Sequence, residues 1–308
     1  MEKSLNLKRL EFLDNRMELD THKKRELQNL KRGYQGEKYV YNLLKSYSFK
    51  NWDVLSDIHL RSPIGYVQID FLLLTGKDIY IFEVKNYAFS CIMQNNRWFF
   101  DNQKPLGTNI SHQVQSAKLH LQRIFENEIY PPTIHPCILF VNPEYSPKIL
   151  GNSEELILNA HQINLFLSEI PVNHESRLTE QYRKVIGSFL HTNSELFFME
   201  DKELKGAIKL GVYCASCKKF DLHQKDRTVV CQSCGATESK KNCIKRLTEE
   251  YCVISLKRTI SARNIADFSS NFFTRRQVSV QMTQFLKSDN KGRYATYHNP
   301  LFNSTKDL

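Results

Sequence analysis

The apolar residues of the N-terminal half follow a helical pattern first and a strand pattern afterwards. Beyond Gly36 the apolar positions recur with the spacing of one face of an amphipathic helix, at Tyr39, Val40, Leu43, Leu44 and Tyr47. Three strand-like runs follow, at residues 52–59, 66–74 and 78–86. The turn Thr75-Gly76-Lys77-Asp78 between the last two favours a hairpin. The pattern therefore predicts a helix followed by three strands.

The same criteria extend the prediction through the middle of the chain. The additional elements are a short strand pair, a helix, a buried strand and two further helices, at 91–93, 97–100, 111–128, 136–141, 161–169 and 175–191. Ser111 is the predicted N-cap of the first of these helices. Helices and strands in this order predict an α/β fold, in which a mixed sheet is flanked by helices.

Changes in composition divide the chain into five predicted segments. They are a helical lead-in, an α/β domain, a linker, a cysteine-containing segment and a basic helical region, at 1–32, 33–192, 193–210, 211–242 and 243–308. No apolar run reaches the roughly 18 residues of a membrane span. The charged N-terminus lacks the apolar core of a signal peptide. We therefore expect a cytoplasmic protein that does not contact membranes.

The positive charge of the chain is concentrated in its last third. Residues 202–308 hold 20 Lys and Arg against 9 Asp and Glu, whereas residues 1–201 hold 23 against 24. Lys and Arg side chains that neutralise phosphates release counterions, so a local excess of this size favours nucleic acid as the partner. The alternative is a basic surface that serves only solubility.

Charged residues interrupt two of the predicted strands. Glu83 and Lys85 lie two positions apart in an apolar run, so their side chains project from one face. Gln68 and Asp70 share a face of the preceding strand in the same way. If the two strands pair, Asp70 and Glu83 approach each other. Buried carboxylates need a partner, and a divalent cation such as Mg²⁺, which prefers carboxylate oxygens, is one. The alternative is a solvated ion pair on an edge strand.

These residues carry a resemblance to a known family. Gly36-Glu37, Gln68-Ile69-Asp70 and Glu83-Val84-Lys85-Asn86-Tyr87, in this order and spacing, resemble the nuclease-related domain (NERD), a branch of the PD-(D/E)XK nuclease superfamily. The resemblance covers residues 30–145. It implies a restriction-endonuclease-like fold in which Asp70 and Glu83 hold Mg²⁺ or Mn²⁺ and Lys85 is the catalytic lysine. It also implies that Glu37 is an auxiliary acid and that Gln113 belongs to the site.

Four of the eight cysteines form two pairs with the spacing of zinc ligands. Cys214 and Cys217 form one pair and Cys231 and Cys234 the other, with 13 residues between the pairs. This spacing predicts a Cys₄ zinc ribbon, for which His223 is an alternative ligand. The remaining cysteines lie among apolar residues and are predicted to be small core residues, at Cys91, Cys137, Cys243 and Cys252.

The segment after the ribbon is predicted to be helical. A helix pair within 247–268, a helix over 274–286, a glycine turn and a tyrosine-rich strand resemble a winged-helix DNA reader. The predicted nucleic-acid contacts are Arg275, Arg276, Gln277, Lys291 and Arg293. The alternative is a helical cap that packs on the ribbon.

The combined prediction is a Mg²⁺-dependent deoxyribonuclease with structural zinc and a basic region that binds substrate. The alternative is a non-catalytic nucleic-acid-binding or regulatory protein that retains a nuclease fold. A zinc-organised factor that serves a DNA-processing complex is a further hypothesis. Many endonucleases of this superfamily pair to cut both strands, which makes a homodimer an additional expectation of the resemblance.

Overall fold

The protein is described from a computed structural model, which covers residues 1–191, 208–288 and 295–302. The chain forms two compact units. The first contains residues 1–2 and 28–193, and the second contains residues 3–27 together with 194–308. Most of the predicted linker, together with Lys291 and Arg293, lies outside the described residues. No helix in the described part of the chain combines the length and apolar character that a membrane span requires.

The first unit is built on a five-stranded mixed sheet. Its strands, in spatial order, are β1 (Asp53–Ser62), β2 (Gly65–Leu74), β3 (Asp78–Lys85), β6 (Thr133–Phe140) and β8 (Leu156–Asn159). The pairs β1–β2 and β2–β3 are antiparallel, whereas β3–β6 and β6–β8 are parallel. A second sheet consists of β4 (Cys91–Gln94), β5 (Arg97–Phe100) and β7 (Lys148–Leu150). The predicted mixed sheet is therefore confirmed.

Helices cover both faces of the larger sheet. On one face α3 (Ile110–Ile124) and α5 (Ser176–Ser188) supply residues to an apolar cluster. On the other face α2 (Thr21–Ser46) and α4 (Ala160–Glu169) do the same. The central strands are buried on both sides and hence lack polar residues along most of their length. The predicted N-cap of α3 is wrong: Asn109 caps the helix, and the Ser111 hydroxyl accepts a hydrogen bond from the Trp98 indole at 2.9 Å.

The alternation of side chains between the two faces of the sheet is interrupted in both β1 and β2, at the same level of the hairpin. Leu55 and Ile58 are three residues apart yet contact the same apolar cluster, and so do Ile69 and Leu72. Strict alternation would place residues three apart on opposite faces. Asp57 lies at the break in β1 with a left-handed φ of 51°, and the flanking register places it opposite Asp70. Strained backbone of this kind is typical of functional sites.

The second unit contains a small ribbon and a helical region. The ribbon strands are β9 (Leu222–Gln224), β10 (Thr228–Cys231) and β11 (Thr237–Ser239). The elements that follow are α6 (Lys240–Ser255), β12 (Thr259–Ser261), α7 (Ala262–Phe268), α8 (Arg275–Met282) and β13 (Thr296–His298). β12 pairs with β13, and Ser288 forms a bridge with Tyr297. This is the element order of a winged helix, although the predicted glycine turn falls outside the described residues.

The N-terminal segment completes the second unit. Helix α1 (Leu5–Asp14) buries Leu7, Leu10 and Leu13. Arg16, just after it, donates from Nε and Nη2 to the two carboxylate oxygens of Glu250 at 2.6 and 3.0 Å. Both side chains are fully buried, and the guanidinium lies 4.0 Å from the ring centre of Phe268. A lead-in that the sequence left without a packing partner is thus part of the C-terminal core.

Removing Arg16 should destabilise the second unit. Arg16→Met leaves the buried Glu250 carboxylate without its partner, which is expected to cost about 3–5 kcal/mol of unfolding free energy. Urea unfolding of the full chain measures this change. An R16M/E250L double variant should recover most of the loss, because no buried charge remains. Lys24→Ala, which breaks the exposed pair with Glu18, is the control and should change stability by less than about 1 kcal/mol. Equal losses in the single and double variants would contradict the interpretation.

Candidate functional site

Three of the predicted catalytic residues converge where β2 and β3 separate. The recorded β2–β3 register ends at Phe71 and Phe82, so the next positions along the two strands, Asp70 and Glu83, lie at the mouth of the opening. Asp70 Oδ2 accepts a hydrogen bond from the Val84 amide at 2.8 Å. Lys85 Nζ donates to Glu83 Oε1 at 2.6 Å. Glu83 and Lys85 are only 12% and 13% exposed at their side chains, so the pair is not a solvated one.

Helix α3 brings Gln113 to the same point. Gln113 lies in the first turn of α3, and its Oε1 accepts a hydrogen bond from Lys85 Nζ at 3.0 Å. Lys85 is therefore held between a carboxylate and an amide oxygen. This double contact fixes the direction of the ammonium group at the carboxyl end of β3.

Helix α2 approaches the sheet closely enough to add Glu37. A Cβ at Gly36 would lie 2.7 Å from the Asn86 Cβ and 3.1 Å from the Val141 Cγ2, so this position requires glycine. The next residue, Glu37, has a pKa raised by burial and by the negative charges of Asp57 and Glu83. Glu37 thus belongs to the electrostatic cluster that the sequence predicted.

Asp70 has a strongly raised pKa. Its burial and the charge of Glu83 raise its pKa to about 8, against the opposing hydrogen bond from the Val84 amide. A carboxyl of this kind is ionised at neutral pH only if a cation stabilises it. Carboxylate oxygens close together are the ligands that Mg²⁺ prefers. Asp70 and Glu83 therefore fit a divalent cation site.

Asp57 is a site residue that the sequence analysis missed. Its Oδ1 accepts a hydrogen bond from Gln68 Nε2 at 3.1 Å and lies 3.4 Å from His59 Nε2. The contacts with His59 and Gln68 lower its pKa despite partial burial. The one available signal was an acidic residue in a strand, facing Asp70 across the hairpin.

Comparison with known proteins gives one match to a described family. Residues 32–141 match the model of NERD, the nuclease-related domain. This segment of the chain is a NERD domain. The match contains all five predicted catalytic positions, namely Glu37, Asp70, Glu83, Lys85 and Gln113. No curated protein matches the chain.

Among solved structures, the crystal structure of a protein of unknown function, AF1548, is similar to part of the chain. It shares 12% identity, covers 53% of this chain and 73% of its own, and aligns with a TM-score of 0.23. A similarity as loose as this supports no statement about the NERD domain or its function.

The four paired cysteines outside the NERD domain form the predicted cluster. Their Sγ atoms all lie within 4.8 Å of one another, and the cluster does not include His223. The Sγ pairs Cys214–Cys234 and Cys217–Cys231 are each 3.6 Å apart. A tetrahedron with Zn–S bonds of about 2.3 Å has edges of about 3.8 Å, so the cluster fits zinc. The remaining cysteines are buried, as predicted, at Cys91, Cys137, Cys243 and Cys252.

The backbone around the cluster is shaped for thiolates. The Gly235 amide donates to the Cys231 carbonyl at 2.9 Å, with a left-handed φ of 72°. Burial raises the pKa of the Cys214 thiol. Hydrogen bonds from the backbone amides of Cys217 and Ser216 outweigh this effect and lower the pKa to about 7. The Ala236 amide lowers the pKa of Cys234, but hydrogen bonds with Cys217 and Cys214 raise it to about 12, so without a metal the four sulfurs share protons.

The predicted nucleic-acid contacts at the start of α8 are only partly accessible. Arg275 and Arg276 are exposed. Gln277 is half-buried: its side chain caps the helix by accepting from the Thr274 amide at 2.8 Å and donates to Gln224 Oε1 at 3.1 Å. Gln277 is therefore engaged within the second unit and is the least accessible of the three.

Asp70→Asn should stabilise the metal-free protein, and increasingly so as the pH rises towards about 8. The folded pKa of Asp70 is raised above the roughly 3.9 of an unfolded aspartate, so between these values the folded chain keeps a proton that the unfolded chain has lost. The stability contributed by this proton is complete below the unfolded pKa and is lost as the pH rises through the folded pKa. The D70N variant avoids that loss.

Thermal melting of both proteins from pH 5 to pH 9 measures the difference. Divalent cations should be removed by dialysis, because a chelator would also extract zinc. Added Mg²⁺ should stabilise the wild type and thereby reduce the difference in melting temperature between the two proteins. If the difference in melting temperature is the same at every pH, the pKa of Asp70 is not raised in the folded protein.

Proposed function

We propose that this protein is a metal-dependent deoxyribonuclease, in which the NERD domain hydrolyses phosphodiester bonds and the zinc ribbon and basic C-terminal region hold the DNA. The observation that carries the proposal is the meeting of Asp70, Glu83, Lys85 and Gln113 where β2 and β3 separate, inside a NERD domain. A carboxyl with a pKa of about 8 beside a buried lysine supports the proposal, because perturbed pKa values cluster at functional sites.

In this proposal each residue has a defined task. Asp70 and Glu83 hold Mg²⁺ or Mn²⁺, and Glu37 contributes a further negative charge beside them. The bound cation would polarise the scissile phosphate and activate water for attack. Asp57 keeps Gln68 in place at the kink of the hairpin.

Lys85 acts as a hydrogen-bond donor and not as a base. Burial lowers the pKa of the Lys85 ammonium, but the negative charge of Glu83 outweighs burial and raises the pKa above its ordinary value. The group therefore stays protonated at neutral pH. Held by Gln113 at 3.0 Å, it can stabilise negative charge that develops on the phosphate in the transition state.

The C-terminal region would bind the DNA backbone. Residues 202–308 contain 20 basic and 9 acidic residues. This positive excess supports a salt-dependent interaction with DNA that does not depend on sequence. Arg275, Arg276 and Gln277 would contribute from α8, and Lys291 and Arg293 from outside the described residues. A homodimer, a DNA-processing protein partner and a cytoplasmic location complete the proposal.

Incubation of the wild-type protein with supercoiled plasmid and with linear single strands tests the activity. Cleavage is expected with Mg²⁺ or Mn²⁺. Asp70→Ala should abolish cleavage and leave DNA binding in place, since the basic region is unchanged. A preparation that contains zinc and binds DNA, yet cleaves neither substrate with either cation, would refute the proposal.

The basic C-terminal region by itself also favours a second candidate function. A non-catalytic nucleic-acid-binding or regulatory protein would use the same excess of Lys and Arg and retain the nuclease fold as a scaffold. It would show salt-dependent DNA binding that Asp70→Ala does not change, with no cleavage by the wild type. The plasmid experiment therefore separates the two candidates.

A further inference from the structure

The first unit has a cavity beside the candidate active site that the catalytic residues do not use. Its volume is about 580 Å³. The rim includes Arg32, Gln35 and Tyr39 of α2 and His161 at the start of α4, and the floor includes Gly36 and Val141. The cavity lies beyond the carboxyl ends of the parallel strands β3 and β6, which is where open α/β sheets commonly bind ligands.

Four polar side chains on the rim of this cavity have no partner in the described part of the chain. Among the described residues, Arg32, Gln35, Tyr39 and His161 form no side-chain hydrogen bond or ion pair. None of the described residues that line the cavity is acidic. The His161 backbone amide, by contrast, donates a hydrogen bond to Asn159 Oδ1 at 3.1 Å. The positive charge available to a ligand therefore comes from side chains. An unpaired arginine beside an exposed tyrosine suits a ligand with a phosphate and a flat ring.

The cavity and the catalytic cluster share neighbouring residues. Gly36 lines the cavity and Glu37 follows it on α2, while Asn86 lines the cavity and Lys85 precedes it on β3. Consecutive Cα atoms are about 3.8 Å apart, and successive phosphates of a DNA strand are separated by a few ångströms along the axis, about 3.4 Å. A strand whose phosphate lies at the catalytic cluster would therefore place an adjacent nucleotide at the cavity.

We propose that this cavity binds the nucleotide next to the scissile phosphodiester, with Arg32 on its phosphate and Tyr39 against its base. The inference rests on the proposed nuclease function and specifies its substrate. A base can stack on Tyr39 only after it has left the duplex stack, so the preferred substrate is DNA with an unpaired nucleotide beside the cut. Tyr39 is 46% exposed, although its place in the apolar pattern of α2 predicted burial.

Binding of a fluorescent hexadeoxynucleotide to the full chain tests the proposal. The Lys85→Ala background prevents cleavage, and the short strand gives the cavity a large share of the contacts. Arg32→Ala should weaken binding about tenfold, as expected for a lost charge-assisted contact. It should also lower the slope of log affinity against log salt by about one. Tyr39→Ala should weaken binding at least about fivefold, whereas Tyr39→Phe keeps the ring and should stay near the parent affinity.

Arg123→Ala is the matched charge control. Arg123 is exposed, pairs with Glu126 and lies ten residues beyond Gln113 on α3, about 15 Å along the helix. Its removal should leave affinity and salt slope unchanged. Melting temperatures of all variants verify that these exposed substitutions leave the fold intact.

The outcomes separate this inference from the proposed function. If the wild type cleaves DNA but Arg32→Ala and Tyr39→Ala bind the hexanucleotide like their parent, the cavity proposal is wrong and the nuclease stands. If both variants lose affinity while the wild type cleaves nothing, the cavity binds a nucleotide and the nuclease proposal fails. Equal weakening by Arg32→Ala and Arg123→Ala would also overturn the proposal, since only net charge would then matter.

Discussion

Lys85→Ala is expected to lower the rate of DNA cleavage by about 10²–10³-fold, the usual effect of removing one donor that stabilises transition-state charge. The ammonium is held by Glu83 at 2.6 Å and Gln113 at 3.0 Å, so its position is fixed before substrate binds. DNA affinity should change little, because the basic region is intact. Initial rates on plasmid DNA with Mg²⁺, beside equilibrium binding without Mg²⁺, measure both quantities.

Two further variants sharpen this expectation. Gln113→Ala removes one of the two groups that orient Lys85, keeps the ammonium itself, and should therefore reduce the rate by a smaller factor. Lys77→Ala removes an exposed ammonium at the other end of β3, next to Glu175, and should leave the rate unchanged. A Lys85→Ala protein that cleaves at the wild-type rate would show that Lys85 is part of a structural ion pair only.

Cys217→Ser is expected to release zinc and unfold the ribbon. The ribbon strands contain only three or four residues each, so metal ligation supplies most of its stability, on the order of 10 kcal/mol. Zinc content should fall from one ion per chain to a small fraction. The melting transition of the second unit should shift to lower temperature and DNA affinity should decrease. Metal analysis, circular dichroism and binding at fixed salt measure these changes.

The matched control is another cysteine of the second unit. Cys252 is buried in α6 and is not part of the sulfur cluster. Cys252→Ala should therefore keep a full complement of zinc. If Cys217→Ser also retained one zinc per chain, the four-sulfur assignment would have to be abandoned.

The catalytic cluster could be predicted because its charges interrupt apolar strands. Glu83 and Lys85 are conspicuous in β3, whose other inner residues pack in two apolar clusters, and burial makes such charges costly without a purpose. The four-cysteine cluster was equally predictable, since its members are local pairs with the fixed spacing of zinc ligands. In both cases the signal was a pair of residues two or three positions apart in the sequence.

Asp57 and Arg16 escaped prediction for different physical reasons. The position of Asp57 depends on a kink that breaks the period of two on which strand interpretation relies. Arg16 depends on a carboxylate 234 residues away, for which a single sequence contains no local signal. Tyr39 was predicted to be buried because it fits the apolar spacing of α2. That spacing shows which face of the helix points to the sheet, but it does not show that this face is open to a cavity at Tyr39.

The pairing of Arg16 with Glu250 has a consequence for synthesis on the ribosome. At about 5–20 residues per second, the 234 residues between them take roughly 10 to 50 s to translate. During that interval the leucines of α1 have no C-terminal core to cover them, whereas residues 28–193 are completed before Glu250 is made. Nascent chains should therefore attract chaperones through their first 27 residues, and a recombinant fragment that starts at residue 194 should be poorly soluble unless those residues are supplied with it.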